Sequence, residues 1–170
     1  MNTLRSIKTG VTLLLAVAVF ASPAHAEKRK VSGTAREVAE PTKSTPYARE
    51  NPKRDIVQRV AVFLWNSGNP DWDGIVETSP QQALTVVNDA KDVGHIVFHF
   101  KNGDECWGWY SGSYKVITKS DGSWEVPFAG EKYFTGGTGK FANIKGTLRY
   151  KGTVTPTGGA VFTWEGELDY

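Results

Sequence analysis

Four residues whose side chains could carry out chemistry come close together in the middle of the sequence: His95, His99, Cys106 and Tyr110. They flank Asn102-Gly103, a pair that readily forms a two-residue hairpin turn because both turn positions require a positive φ. This turn pairs His99 with Cys106 and His95 with Tyr110 across two antiparallel strands. Side chains alternate between the faces of a strand, so the four residues are expected on one face.

Two interpretations of this face remain open. In the first, the imidazole of His99 lowers the pKa of the Cys106 thiol, and the pair moves a proton on a bound molecule. In the second, a half-buried histidine and a small packed cysteine have no chemistry, which is how most buried cysteines behave. A metal that bridges both histidines is hard to build, because four residues along a strand separate them by about 13 Å. The face is therefore a candidate ligand-binding surface, and no metal site is predicted.

The sequence contains none of the common catalytic signatures. H-E-x-x-H, G-x-S-x-G, C-x-x-C and C-x-x-C-H are absent, which removes the commonest zinc, serine-hydrolase, thiol-redox and haem-attachment sites. Gly137-Thr138-Gly139 begins a dinucleotide-like pattern, but Ala142 stands where the third glycine belongs. Gly139-Lys140 is followed by Phe141, where a phosphate loop has Ser or Thr. No cofactor is predicted, and the sequence identifies no catalytic residue.

The same hairpin also indicates the architecture. On this register Ile96, Phe98, Trp107 and Trp109 form an apolar surface opposite the face just described. Both faces therefore carry side chains that avoid open water. A sheet closed into a barrel, with one face lining a lumen, accommodates this pattern.

Further strands are indicated on both sides of the hairpin. The nearly continuous apolar run over residues 56–65 predicts a strand covered on both faces. Residues 83–87 are predicted as a strand, although Ser79-Pro80 could instead begin a short helix. Two alternating strands surround the turn residues 156–159. Their apolar sets are Leu148, Tyr150, Gly152 and Val154, then Phe162, Trp164, Gly166, Leu168 and Tyr170.

The first 26 residues have the organisation of a secretory signal peptide. Arg5 and Lys8 precede an apolar run over residues 11–21, and Ala24-His25-Ala26 supplies a small-x-small cleavage site. The run is about half the roughly 20 residues that a spanning helix needs. We therefore expect cleavage after Ala26 and release into the periplasm or the medium. The domain prediction is a signal peptide over 1–26, a flexible arm over 27–54, in which residues 31–38 could form a loosely held strand, and a barrel over 55–170.

Charge and cysteine content exclude further classes. The signal peptide carries two of the 20 basic residues and none of the 18 acidic ones, which leaves 18 of each in the mature chain. Without a basic stripe, the mature chain is not expected to bind nucleic acid. Cys106 is the single cysteine, so no disulfide can staple the fold, and stability must come from the core.

The last third of the chain resembles a known superfamily. The glycine-rich residues 134–146, FTGGTGKFANIKG, lead into a strand through Tyr150, and the chain ends in Trp164-Glu165-Gly166-Glu167 followed by three residues. This pattern resembles the allene oxide cyclase and dirigent β-barrels, particularly their exported bacterial members. The resemblance implies an eight-stranded antiparallel barrel with an apolar lumen. In the plant families that barrel binds a hydrophobic substrate or radical and steers its cyclisation or coupling without a cofactor.

Together these patterns predict an all-β fold, a closed antiparallel, calycin-like barrel of about eight strands behind a flexible N-terminal arm. The favoured function is binding of a small hydrophobic or aromatic molecule in the lumen, with no stable membrane insertion. A cofactor-independent isomerase or cyclase of allene oxide cyclase type is one alternative. A small outer-membrane β-barrel is another, since alternating strands and the terminal Tyr170 suit that class, but residues 115–145 are too polar and glycine-rich to cross lipid.

Overall fold

The structure is a computed structural model, and it describes residues 28–39, 54–86, 89–157 and 159–170. The predicted signal peptide, residues 1–26, lies outside these ranges. They form one 3₁₀ turn at Gly139–Phe141 and nine strands: β1 Lys28–Ala39, β2 Arg54–Ser67, β3 Val76–Val86, β4 Asp89–His99, β5 Glu105–Lys115, β6 Ile117–Thr118, β7 Trp124–Gly137, β8 Lys145–Thr155 and β9 Gly159–Asp169. No helix in the same ranges is long and apolar enough to cross a membrane.

Eight of the strands close into one antiparallel barrel. Their order is β5-β4-β3-β2-β1-β9-β8-β7, and β7 pairs with β5 to complete the ring. The two-residue β6 pairs with the start of β7 beside the ring. The predicted closed barrel of about eight strands is thus confirmed.

The strand β1 corrects the prediction that residues 27–54 form a flexible arm. Lys28–Ala39 pairs with β2 on one side and β9 on the other, so it is an integral part of the ring. Val31 and Ala35 are 3% and 1% exposed and face the core. The outward positions between and beside them are Lys30, Ser32, Thr34 and Arg36, whose charged or hydroxyl side chains dominate the composition and hide the period of two. Residues 40–53 of the predicted arm lie outside the described ranges.

The β4–β5 turn differs from the predicted two-residue hairpin. Gly103 has a φ of +86°, and its amide donates to the Phe100 carbonyl at 3.0 Å. The Phe100 amide donates to the Asp104 carbonyl at 2.9 Å, which closes a loop of three residues. A type I turn followed by a left-handed glycine gives this arrangement, and an Asn-Gly pair suits it as well as the two-residue turn.

The longer loop shifts the register by one residue. His99 pairs with Glu105, and Phe98 pairs with Cys106. Because side chains alternate between the two faces, a shift of one residue exchanges which side chains of β4 share a face with a given side chain of β5. The predicted grouping is therefore wrong. Inward side chains are Ile96, Phe98, Cys106 and Tyr110, whereas His95, Val97, His99, Trp107 and Trp109 point outward.

The other predicted strands are confirmed with adjusted bounds. Residues 56–65 lie within β2, although only one of its faces is buried, since Val60 is 37% exposed. Residues 83–86 of the predicted strand lie within β3, and residue 87 lies outside the described ranges. Pro80 also lies inside β3, so the helix alternative does not hold. In β8 and β9 the predicted faces are correct, with Tyr150 paired to Trp164 and Arg149 opposite Glu165.

Trp72 closes one end of the barrel. It belongs to the loop between β2 and β3, yet its side chain is completely buried. Its indole Nε1 donates to the Tyr170 hydroxyl at 3.2 Å. Its ring lies within 6.4 Å of seven other aromatic rings, measured between centroids: Trp65, Phe98, Phe100, Phe134, Phe141, Trp164 and Tyr170. This end of the lumen is packed as a core.

Candidate functional site

A cavity of about 300 Å³ opens at the barrel end opposite Trp72. Exposure falls from 39% at Trp124 to 4% at Lys132, so Trp124 lies at its mouth and Lys132 at its inner end. The wall is largely aromatic and aliphatic, formed by Phe63, Tyr114, Trp124, Val126, Phe128, Val154, Ala160 and Phe162. The polar groups of the lining are Arg59, Gln81, Asp92, Tyr110, Ser113, Lys132 and Tyr150. An apolar pocket with a few converging polar groups is the usual form of a small-molecule site.

Lys132 forms the floor of this cavity and belongs to a buried ion pair. The Lys132 ammonium donates to Glu77 Oε1 at 2.5 Å, and Trp65 Nε1 donates to the other carboxylate oxygen at 2.9 Å. Glu77 is completely buried, so the pair is held away from water. Both oxygens of the carboxylate therefore have a partner, which a buried charge requires.

Aromatic rings surround the Lys132 ammonium. Its Nζ lies 5.1 Å from the Tyr150 ring centroid and 5.3 Å from that of Tyr110. Four further rings lie within 6.0 Å: Phe63, Trp65, Phe98 and Phe162. Ring faces attract a cation, and this compensates part of the lost hydration. The ammonium has three N–H groups, and Glu77 is its only hydrogen-bond acceptor in the part of the chain that the structure describes.

A second carboxylate, Asp92, lies on the cavity wall. The Tyr110 hydroxyl donates to Asp92 Oδ1 at 2.8 Å, and the Arg59 side chain nearby donates to Gln81. Burial raises the pKa of Asp92 to about 6, although the Tyr110 hydrogen bond and the charges of Arg59 and Lys132 oppose this rise. Burial and the carboxylate together raise the pKa of the Tyr110 hydroxyl, which therefore stays protonated. Asp92 can thus change its charge close to neutral pH.

Tyr150 places a hydroxyl at the same wall. The side chain is 9% exposed, and none of the hydrogen bonds among the described residues uses its hydroxyl. A Cβ at either Gly112 or Gly130 would lie 2.4 Å from that oxygen, so the two glycines, which pair across β5 and β7, leave it room. Burial, then the charges of Asp92 and Glu77, raise the pKa of Tyr150, which keeps the hydroxyl a donor.

The structure separates the four site residues predicted from the sequence. Tyr110 lines the cavity, while Cys106 is completely buried on the same inner face but near the packed end, outside the cavity lining. His95 and His99 lie on the outer surface, contrary to the prediction. His99 Nδ1 lies 2.9 Å from Glu105 Oε1 and its Nε2 lies 3.3 Å from the Thr78 hydroxyl, so His99 is not paired with Cys106. A role for these residues in ligand binding stays a prediction.

The thiol of Cys106 is expected to react slowly. Burial raises the pKa of the thiol well above its usual range, and the Glu77 charge adds to the shift. Iodoacetamide at neutral pH should therefore label folded protein far more slowly than protein in guanidinium chloride. His99→Ala should leave the rate unchanged, because that imidazole lies on the opposite face of the sheet. Mass spectrometry at timed intervals measures this, and fast labelling of the folded wild type would contradict the burial of Cys106.

Apart from Tyr110, the polar lining residues were missed by the sequence analysis, although alternation carried a signal for one of them. Lys132 is in phase with Phe128 and Phe134, and a cation between two inward aromatic positions marks a buried charge that needs a partner. Its partner Glu77 lies 55 residues earlier in the sequence, on β3. The two side chains meet because the strands close into a ring. The alternation in the sequence thus indicates a buried cation at Lys132 but does not identify its partner or the cavity that it lines.

Metal and family comparisons add two observations. Within the described ranges, no group of three or more His, Cys, Asp and Glu side chains could hold a metal ion. Neither the models of known protein families nor the curated protein sequences give a match to this chain.

Proposed function

We propose that this protein is an exported β-barrel that binds a small hydrophobic or aromatic molecule in its lumen. The observation that carries the proposal is the cavity of about 300 Å³ between aromatic side chains at one barrel end. Protein interiors are close-packed, and voids larger than a water molecule are few. At the other end Trp72 fills the same lumen, so the open end is a specific feature of this fold and offers space for a guest.

The cavity wall indicates the kind of molecule. Its rings offer edge and face contacts to another aromatic system, and the cavity volume suits a compound of a few rings. Export is supported by the signal-like residues 1–26. The exposed outward side chains of β8 and β9 include Arg149, Lys151, Glu165 and Glu167, which favour a barrel surrounded by water over one surrounded by lipid.

Blocking the cavity tests the proposal. N-phenyl-1-naphthylamine, a neutral apolar dye whose fluorescence rises out of water, serves as the probe. Wild-type protein is expected to bind it saturably at one site. Ala160→Trp, which places a large ring in the lumen, should weaken binding by roughly tenfold or more, since its side chain is inward and lines the cavity.

The matched control is Val161→Trp. Val161 is the next residue of β9, is 48% exposed and faces outward, so the added ring stays outside the barrel. This variant should bind the dye as the wild type does. Equal affinities of Ala160→Trp and wild type, or no saturable binding by the wild type, would contradict lumen binding.

A further inference from the structure

The inner end of the cavity carries a base and two donors that face one space. Asp92, Tyr150 and Lys132 come from β4, β8 and β7 and all line the cavity. We propose that this constellation transfers protons on a carbonyl compound, with Asp92 as the base and with Tyr150 and Lys132 as donors to the carbonyl oxygen. This inference rests on the proposed function, because it requires a guest in the lumen.

The unpaired hydroxyl of Tyr150 points to an acceptor on the guest. The Tyr150 side chain is nine-tenths buried, and its hydroxyl has no hydrogen-bond partner among the described residues. This oxygen is not one of the fully buried unpaired atoms of those residues, and Tyr150 lines the cavity, so the hydroxyl is free to donate to a bound molecule. Lys132 has further N–H groups beyond the one given to Glu77. A carbonyl oxygen accepts from both donors, and it accepts more strongly as negative charge develops on it.

Asp92 is placed to serve as the base. Tyr110 donates to Oδ1, which orients the carboxylate and leaves Oδ2 without a partner in the described part of the chain. The proton-transfer step then balances without any oxidant or cofactor. The Asp92 carboxylate removes a proton from the carbon next to the carbonyl, the C–H electron pair becomes a C=C bond, and the carbonyl π pair moves to oxygen as an enolate.

The proton returns from Asp92 to carbon in the second step. If the Asp92 carboxyl proton exchanges with solvent before it returns, return to the same carbon replaces the original hydrogen by a solvent hydrogen, whereas return to the far carbon of a conjugated enolate moves the double bond. Either outcome regenerates the carboxylate, the carbonyl and all donors. The reaction class is therefore enolisation, or isomerisation of an unsaturated ketone, with an apolar body held by the aromatic wall.

The charges that face Asp92 are those of Arg59 on β2 and Lys132 on β7, together with the hydroxyls of Tyr110 on β5 and Tyr150 on β8. Glu37 Oε1 on β1 lies 3.9 Å from Arg59 Nη1 and compensates part of the positive charge of the guanidinium. The pKa of Asp92, about 6, makes it a carboxylate at neutral pH and still a useful proton carrier. Activity should rise with pH through about 6 and then level off.

Deuterium exchange of 2-tetralone, an apolar aromatic ketone, tests the inference. Its α-hydrogens are followed by proton NMR in D₂O with and without full-length protein, and its binding is measured separately by displacement of N-phenyl-1-naphthylamine. We expect wild-type protein to accelerate exchange by about a hundredfold or more over buffer. Asp92→Asn should abolish the acceleration, and Tyr150→Phe should reduce it by about tenfold or more while 2-tetralone still binds.

Glu131→Gln is the control, since Glu131 is a carboxylate on β7 that faces outward beside Lys132. It should leave both binding and exchange unchanged. Binding of 2-tetralone without acceleration, or acceleration that persists in Asp92→Asn, would overturn the inference and leave the proposed function standing. Failure of both the dye and the ketone to bind would contradict the two together.

Discussion

Replacement of Lys132 by methionine is expected to lower the free energy of unfolding by about 3–5 kcal/mol. The methionine side chain is similar in size but removes the ammonium that pairs with Glu77. The Glu77 carboxylate is completely buried and would then keep only the hydrogen bond from Trp65. An uncompensated buried charge is among the most destabilising defects that a single substitution creates.

A double variant separates the charge effect from lost packing. Lys132→Met combined with Glu77→Gln leaves no charge at the floor, and the glutamine oxygen can still accept from Trp65. We expect the double variant to be more stable than Lys132→Met alone. Lys151→Met, an exposed outward cation on β8, should have little effect. Guanidinium chloride unfolding measures all of these, and a double variant no more stable than Lys132→Met would contradict the charge argument.

Asp92→Asn is expected to change stability in the opposite direction at neutral pH. The folded-state pKa of Asp92, about 6, lies above its ordinary value of 3.8. The proton is therefore held more tightly in the folded protein, and the stability it contributes is complete below pH 4 and lost as the pH rises through about 6. Asparagine cannot ionise and still accepts from Tyr110, so it avoids this loss.

The measurable signature is a pH-dependent difference between the two proteins. At pH 7.5 Asp92→Asn should be more stable than wild type by about 1–3 kcal/mol, and at pH 4 the difference should be much smaller. Asp121→Asn, in an exposed loop, should show no such pH-dependent gain. Equal differences at both pH values would contradict the proposed burial of Asp92. A carboxylate kept at such a cost to stability is typical of a functional group.

The barrel architecture could be predicted from the sequence because it depends on the alternation of inward and outward side chains within single strands and hairpins. The alternation of Tyr150 and Trp164 with charged neighbours gave the correct faces of β8 and β9. A hairpin with apolar side chains on both faces indicated closure into a barrel, although the faces were grouped wrongly. The strand β1 was indicated only as a loosely held strand that residues 31–38 could form, because Val31 and Ala35 are its only buried residues and their outward neighbours are charged or carry hydroxyl groups.

The site was less accessible for two physical reasons. Asn102-Gly103 is compatible with loops of two or three residues, and the choice between them decides whether His99 or Phe98 meets Cys106. The inner end of the cavity also depends on residues from distant strands, because Lys132 on β7 pairs with Glu77 on β3, and this contact depends on the registers of the strands in the ring. Local spacing contains no signal for such a pair, so Tyr110 is the only predicted site residue that lines the cavity.

Native mass spectrometry of protein isolated from its own cells tests lumen binding most directly. Wild-type protein is expected to carry a small molecule whose loss on mild activation gives the mass of the unliganded chain. Val161→Trp should retain that molecule, and Ala160→Trp should lack it, because only Ala160 faces the cavity. Wild-type protein without any adduct, or an adduct retained by Ala160→Trp, would contradict a ligand bound in the lumen.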